Sequence, residues 1–94
     1  MSKIDIPKKL LIVNDMAGFG RCSLTIALPV VSACKVQAIP VPTSIFSNHT
    51  GFPAYYKKDM TVYLNDYMKQ LDETAGRFDG IYCGYFGSLM QLHI

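Results

Sequence analysis

Residues 9–33 read KLLIVNDMAGFGRCSLTIALPVVSA, and the division of this stretch into an apolar run, a turn and a second apolar run decides the fold class. Residues 9–13 (KLLIV) lie between a charged lead-in and the polar pair Asn14-Asp15, the pattern of a short buried strand. Residues 16–21 (MAGFGR) carry two glycines and predict a turn, after which Ser23 is placed to cap a helix running to about Ala33. Pro29 falls inside that helix, where a missing N–H and a ring clash cost about 3 kcal/mol unless the helix kinks or starts late. The opening unit is therefore strand, loop, helix.

Working outward, residues 35–39 (KVQAI) and 43–46 (TSIF) are β-prone, with Pro40 and Pro42 between them. Each proline removes a ladder donor, so an edge position or a break between the two runs is expected. Residues 47–53 (SNHTGFP) have the composition of a loop. Asp59 is a candidate N-cap for a helix whose apolar face carries Met60, Leu64, Tyr67, Met68 and Leu71, with Gly76 as a left-handed stop. Asn65, Asp66, Lys69, Gln70 and Asp72 fall mostly on the opposite face, which reads as solvated. Residues 78–86 (FDGIYCGYF) read as a buried strand, and Ser88 as the cap of a final helix continuing to Ile94.

Strands alternating with helices at these lengths predict an α/β fold with right-handed crossovers and a mostly parallel sheet. Ligands of such sheets collect outside the carboxyl ends of the strands, here residues 14–21, 46–51 and 84–88. Parallel sheets seldom stop at so few strands, so residues 1–94 are expected to form a single incomplete domain.

Composition narrows the function. Half of the 94 residues are hydrophobic and 17% charged, with a net charge of +2, which excludes intrinsic disorder and gives no basic face for nucleic acid or an anionic membrane. The longest apolar stretches fall far below the ~20 residues that cross a bilayer, and the N-terminus lacks the apolar core of a signal peptide, so a cytoplasmic protein is expected. Cys22, Cys34 and Cys83 show no CxxC or Cys/His spacing. Buried free thiols are expected, with no disulfide and no zinc site, and neither His49 nor His93 has a metal-ligand partner nearby in sequence.

Four features bear on chemistry. The Gly18-Phe19-Gly20-Arg21 loop could turn backbone N–H groups toward an anion or simply join two elements; it matches neither G-x-G-x-x-G nor a P-loop. Residues 47–51 (SNHTG) set an amide, an imidazole and hydroxyls between Phe46 and Phe52, which suits a flat heteroaromatic ligand, although composition alone favours a capped turn. Asp15 follows the first strand directly, where its carboxylate accepts from a ligand donor or caps the turn. Tyr82 and Tyr85 stand near the end of the last strand on opposite faces, and Tyr85, nearer the carboxyl end, is the one expected at the crevice.

Together these residues resemble a known family. Residues 46–52 (FSNHTGF) are similar to the F-S-N-H-T-G/Q-Y segment of pyridoxal kinases, and residues 84–88 (GYFGS) to their G-Y-L-G-S segment, in the same order and at the same separation. Residues 13–15 (VND) and 20–30 (GRCSLTIALPV) resemble the start of the family's bacterial branch, whose first helix also carries a proline. The resemblance implies the N-terminal, substrate-side part of a ribokinase-like three-layer α/β fold, and, for the intact enzyme, ATP-dependent phosphorylation of the 5′-hydroxymethyl group of pyridoxal, pyridoxamine or pyridoxine. It further implies that Phe46 packs on the pyridine ring, that His49 and Thr50 belong to the substrate pocket, and that Tyr85 lines it near the phosphate path. Asp15 stands where many members have a serine facing the ring nitrogen or 3-hydroxyl; a carboxylate there favours a protonated pyridine. The family's catalytic Asp lies in a C-terminal G-D motif not found in residues 1–94, and the residues for ATP and Mg2+ are likewise not found there, so the chain alone is expected to be inactive. A homodimer is in keeping with the family. The alternatives are a hydroxymethylpyrimidine kinase of the same fold, and a non-catalytic binding or self-associating remnant.

Overall fold

The computed structural model describes residues 7–86 and 91. In chain order the elements are β1 (Lys9–Phe19), α1 (Leu24–Ala33), β2 (Gln37–Asn48), β3 (Lys57–Asp59), α2 (Thr61–Ala75) and β4 (Gly80–Cys83). They build one sheet in the order β3-β2-β1-β4, with β1 parallel to both β2 and β4, and β3 antiparallel to β2. The chain leaves β1 in one direction to reach β2 and crosses back over β1 to reach β4. Right-handed crossovers in opposite directions place α1 and α2 on opposite faces. The predicted α/β architecture with a mostly parallel sheet is the one observed.

Both central strands are longer than expected. β1 continues from Val13 to Phe19 because β2 stays beside it as far as the pair Phe19 and Asn48, and the predicted turn shrinks to residues 20–22. Gly18 permits the pairing: a Cβ there would lie 2.9 Å from the Ser47 carbonyl oxygen. β2 in turn runs unbroken through Pro40 and Pro42. The Gln37 N–H donates to Lys8 O at 2.8 Å, so odd-numbered donors in this half of β2 face β1 and even-numbered positions face outward. β3 pairs only with residues 44–46, so both prolines sit where no ladder bond is needed. The outward Pro40 carbonyl accepts instead from the Tyr67 hydroxyl at 2.6 Å. Of the two outcomes the prolines allowed, the structure takes the edge.

The core lies between the sheet and α2, where Leu11, Ile39, Val41 and Leu64 are buried and Val13, Met60, Met68, Leu71, Ala75 and Phe78 pack around them. The predicted apolar stripe thus faces the sheet, apart from Tyr67, which reaches the strand edge. Ile12 is fully buried on the other face, and Leu24 is the buried residue of α1. α1 begins at Leu24 and runs through Pro29, so the helix does not start late. Ser23 does not cap it: with φ 52° and no cap bond, its hydroxyl turns elsewhere, while Thr25 Oγ1 closes the turn on Cys22 O at 2.6 Å. Gly76 takes the left-handed φ of 74° expected of a stop, and its N–H returns to Asp72 O.

β4 covers Gly80–Cys83 rather than residues 78–86, because it pairs only with residues 10–13 of β1. Its outer edge has no partner among the described residues, and Ile81, Tyr82 and Cys83 are exposed on it. The expectation of buried thiols is corrected here: the cysteines are free, but Cys34, at the C-cap of α1, and Cys83, on the open edge, are exposed, and Cys22 is half-buried. The helix expected from Ser88 lies outside the described residues. No helix among those described is long and apolar enough to cross a membrane.

Asp59, read from the sequence as the N-cap, stands one residue before the observed N-cap, Met60, and from there its carboxylate accepts the Thr61 N–H at 2.7 Å and the Thr61 hydroxyl. These bonds hold its carboxyl below the ordinary value, with a further contribution from Lys57. A depressed carboxylate stabilises fully above the unfolded pKa of roughly 4, and that stability is lost as pH falls through the folded value. Asp59→Asn is accordingly expected to flatten the acid side of a thermal-stability profile below about pH 4. An unchanged slope there would show that the Asp59–Thr61 bonds do not contribute.

Candidate functional site

The site is created by a register irregularity. Asn14 pairs with Pro42, but Met16 pairs with Ile45, so Thr43 and Ser44 of β2 stand opposite Asp15 alone. This is a β-bulge, and in a strand of period two an extra residue switches which face the following side chains take. Val41 faces the core under α2; without the bulge, Phe46 would point to the opposite side. With it, Phe46 shares the face of Val41 and pairs with Ala17 on β1 and Lys57 on β3. Thr43 and Ser44 are themselves wholly buried.

Beyond the bulge, at the carboxyl ends of β1 and β2, lies a cavity of about 370 Å³. Asp15, Phe46, His49, Thr50 and Tyr85, the five residues singled out from the sequence, all line it. Phe46 is 6% exposed and forms the floor, with Tyr55 at 5.6 Å and Tyr85 at 6.5 Å between ring centroids, both rings inclined to it. Such edge-to-face packing fixes the orientation of the Phe46 ring. Lys57 Nζ lies 5.6 Å from the centroid of the same ring.

His49 is held by the turn it sits in. Its Nδ1 accepts the Gly51 N–H at 2.8 Å, and its own N–H donates to Phe19 O at 2.8 Å. With Nδ1 accepting, the neutral imidazole carries its proton on Nε2 and can donate it outward. Gly20, at φ 114°, makes room: a Cβ there would lie 2.9 Å from that of His49. The residue 47–51 segment is thus both a hydrogen-bonded turn and a wall of the cavity. Asn48 secures its far end by donating to Ala54 O at 2.9 Å.

Asp15 is oriented from two sides: Ser23 Oγ donates to its Oδ1 at 2.7 Å, and its N–H donates to Asn14 Oδ1 at 2.9 Å. The positive φ of Ser23 is what lets the hydroxyl reach back, a strained conformation of the kind that collects at functional sites. Gly84 completes the support. Its N–H donates to Val13 O at 2.7 Å, and a Cβ there would come within 2.7 Å of Asn14 Cγ. Gly84→Ala is therefore expected to displace the Asn14 amide, destabilise the chain by about 1–3 kcal/mol and loosen Asp15. A denaturant midpoint equal to that of the unaltered chain would count against this packing.

Sequence reasoning missed Lys57, Tyr55, Cys22 and Ser23 as lining residues. Lys57 reaches the site only through cross-strand pairing with Phe46, and β3 has three residues, too short for a periodic signal. Of residues 18–21, whose glycines allow an anion-binding turn, Gly18 and Phe19 lie within β1.

An α/β sheet with the cavity at the carboxyl ends of its central strands is the arrangement of the ribokinase-like kinases. Among solved structures, the chain is similar to a phosphomethylpyrimidine kinase from Bacteroides thetaiotaomicron, crystallised with pyridoxal, at 36% identity and a TM-score of 0.88, over 94% of this chain and 31% of that one. It is similar to the pyridoxal kinase of Lactobacillus plantarum at 28% identity and a TM-score of 0.82, over 88% of this chain and 30% of that one. The pyridoxal kinase of Leishmania donovani, in complex with ADP and pyridoxamine, shares the fold at 18% identity and a TM-score of 0.75, over 82% and 28% of the respective chains. No protein-family model and no curated protein matches. The chain thus spans about a third of the length of the kinases it matches, and the resemblance to a portion of a pyridoxal kinase is borne out.

Proposed function

We propose that the chain forms the vitamin-side pocket of a kinase that phosphorylates the 5′-hydroxymethyl group of a vitamin B6 ring in the cytoplasm. The observation that carries this reading is the gathering of Asp15, Phe46, His49, Thr50 and Tyr85 around one cavity of about 370 Å³, in a chain 36% identical to a kinase crystallised with pyridoxal. Phe46 offers an apolar face to a flat ring, while Thr50 and the outward Nε2 of His49 are directional partners for its substituents. Asp15 is set to accept a proton-bearing ring nitrogen. Tyr85, beside Phe46, bounds the side along which the hydroxymethyl group would extend.

ATP with Mg2+ would supply the transferred phosphoryl, and their binding residues, like the base that accepts the hydroxyl proton, belong in this reading to a part of the kinase not represented in residues 1–94. In this reading turnover needs groups beyond those lining the cavity. The chain incubated with ATP, Mg2+ and pyridoxal is expected to form no phosphorylated product by chromatography. Product above the no-protein control would overturn that part of the reading.

Calorimetric titration with pyridoxal, pyridoxine and pyridoxamine tests the pocket. Saturable binding, weakened about tenfold by Thr50→Ala, is expected from the loss of a polar partner that lines the cavity. A folded chain that binds no vitamer, or that prefers hydroxymethylpyrimidine in competition, overturns the reading. A second reading, self-association, draws on the open edge of β4, where Ile81 is 64% and Tyr82 54% exposed. Sedimentation of a monomer would dismiss it, whereas a dimer disrupted by a lysine at position 81 (Ile81→Lys) would support it.

A further inference from the structure

The sheet lays three chemically distinct groups in a row across the cavity. Asp15 and Ala17 belong to β1, Phe46 pairs with Ala17 from β2, and Lys57 pairs with Phe46 from β3. Neighbouring strands lie about 4.8 Å apart, so the β1 and β3 backbones are separated by roughly 10 Å, with the Phe46 ring between them. Asp15 and Lys57 both line the cavity. A six-membered ring laid against Phe46 therefore meets a carboxylate on one side and an ammonium on the other.

The two charges are not used up on each other or on the fold. Asp15 Oδ1 accepts from Ser23, and Oδ2 has no hydrogen-bond donor among the described residues. The Lys57 ammonium stands over the Phe46 ring, a contact that leaves its three N–H donors for an acceptor. Asp59 feels the Lys57 charge, but its own carboxylate is engaged by the Thr61 N–H and hydroxyl.

We infer that Lys57 is a specificity-determining residue and that, with Asp15, it selects the zwitterionic form of a 3-hydroxypyridine, ring nitrogen protonated toward Asp15 and ring oxygen ionised toward Lys57. The inference rests on the vitamin reading and deepens it by naming the ionic form bound. In a partly desolvated site a neutral ring is favoured unless both of its charges are matched, and the cavity supplies one match for each. A hydroxymethylpyrimidine has no ionisable ring hydroxyl and leaves Lys57 without an anion, so the same pair discriminates between the two substrate classes.

Pyridoxine is the probe, because it lacks the aldehyde that would form an imine with a lysine. On binding at neutral pH, its near-ultraviolet spectrum is expected to keep the longer-wavelength band of the zwitterion, the main form in water, although a partly desolvated site otherwise favours the neutral form. Lys57→Met should weaken pyridoxine about tenfold and shift the bound spectrum to the neutral band, and Lys57→Arg should restore both. Pyridoxine methylated on the ring oxygen cannot ionise there; it should bind the unaltered chain and the Lys57→Met chain with equal affinity. If pyridoxine binds in its neutral band, or with an affinity insensitive to Lys57→Met, the inference fails while the vitamin reading stands. If a folded chain binds no pyridoxine, both fail. Should Lys57→Met not fold, the spectrum of the unaltered chain and its preference for pyridoxine over the methylated analogue decide alone.

Discussion

Phe46→Ala is expected to abolish measurable binding of a B6 vitamer and to lower stability by about 3–5 kcal/mol. The side chain is 6% exposed and is packed by Tyr55, Tyr85 and the Lys57 ammonium, so its removal leaves a cavity and three partners without their contact. A chain of this size holds roughly 5–14 kcal/mol in total, and the variant would therefore approach the unfolding threshold. Phe46→Leu separates the two effects. It restores most of the apolar volume and should be milder by more than half in a denaturant titration, yet it lacks the planar face and should still lose at least tenfold in affinity. Vitamer affinity in Phe46→Leu equal to that of the unaltered chain would show that the ring does not stack on this residue.

Leu64→Ala is the second large effect, with an expected loss of about 2–5 kcal/mol. Leu64 is the buried residue of α2 and packs against Leu11, Ile39 and Val41. An isolated helix of 15 residues is marginal in water, so α2 depends on this apolar seam for its persistence. Because β3 and Asp59 lead directly into α2, loosening the helix should also release Lys57 from its place beside Phe46. Hydrogen exchange is expected to show α2 amides losing protection first, with the β1 and β2 ladder retained. Uniform loss across the chain would mean instead that α2 and the sheet unfold as one unit.

These effects fall on residues that differ in how visible they are before folding. The stripe of Met60, Leu64, Met68 and Leu71 is legible as a helix face because burial against a sheet imposes a period near 3.6. The Gly76 stop is legible because a left-handed φ favours glycine. Strand lengths are less so. β1 and β2 each outrun their apolar runs, since what extends them is the mutual pairing of residues 16–19 with 45–48, a property of two segments rather than one. The exposure of Cys83 was equally hidden, because it depends on whether another strand covers β4.

The sequence by itself determined the α/β class, the order of the main elements, and, through the FSNHTG and GYFGS segments, a family resemblance together with five residues that do meet at one cavity. Local chemistry suffices for those: apolar periodicity, glycines at turns, and polar groups dense enough to be read as a site. Only the tertiary structure decided that Thr43 and Ser44 form a bulge opposite Asp15, turning Phe46 to the cavity side, and that Lys57, over the Phe46 ring, lines the same cavity as Asp15. Register and cross-strand pairing are fixed by contacts between residues distant in the chain, and a slip of one residue, which leaves every local pattern unchanged, would send Phe46 to the other face.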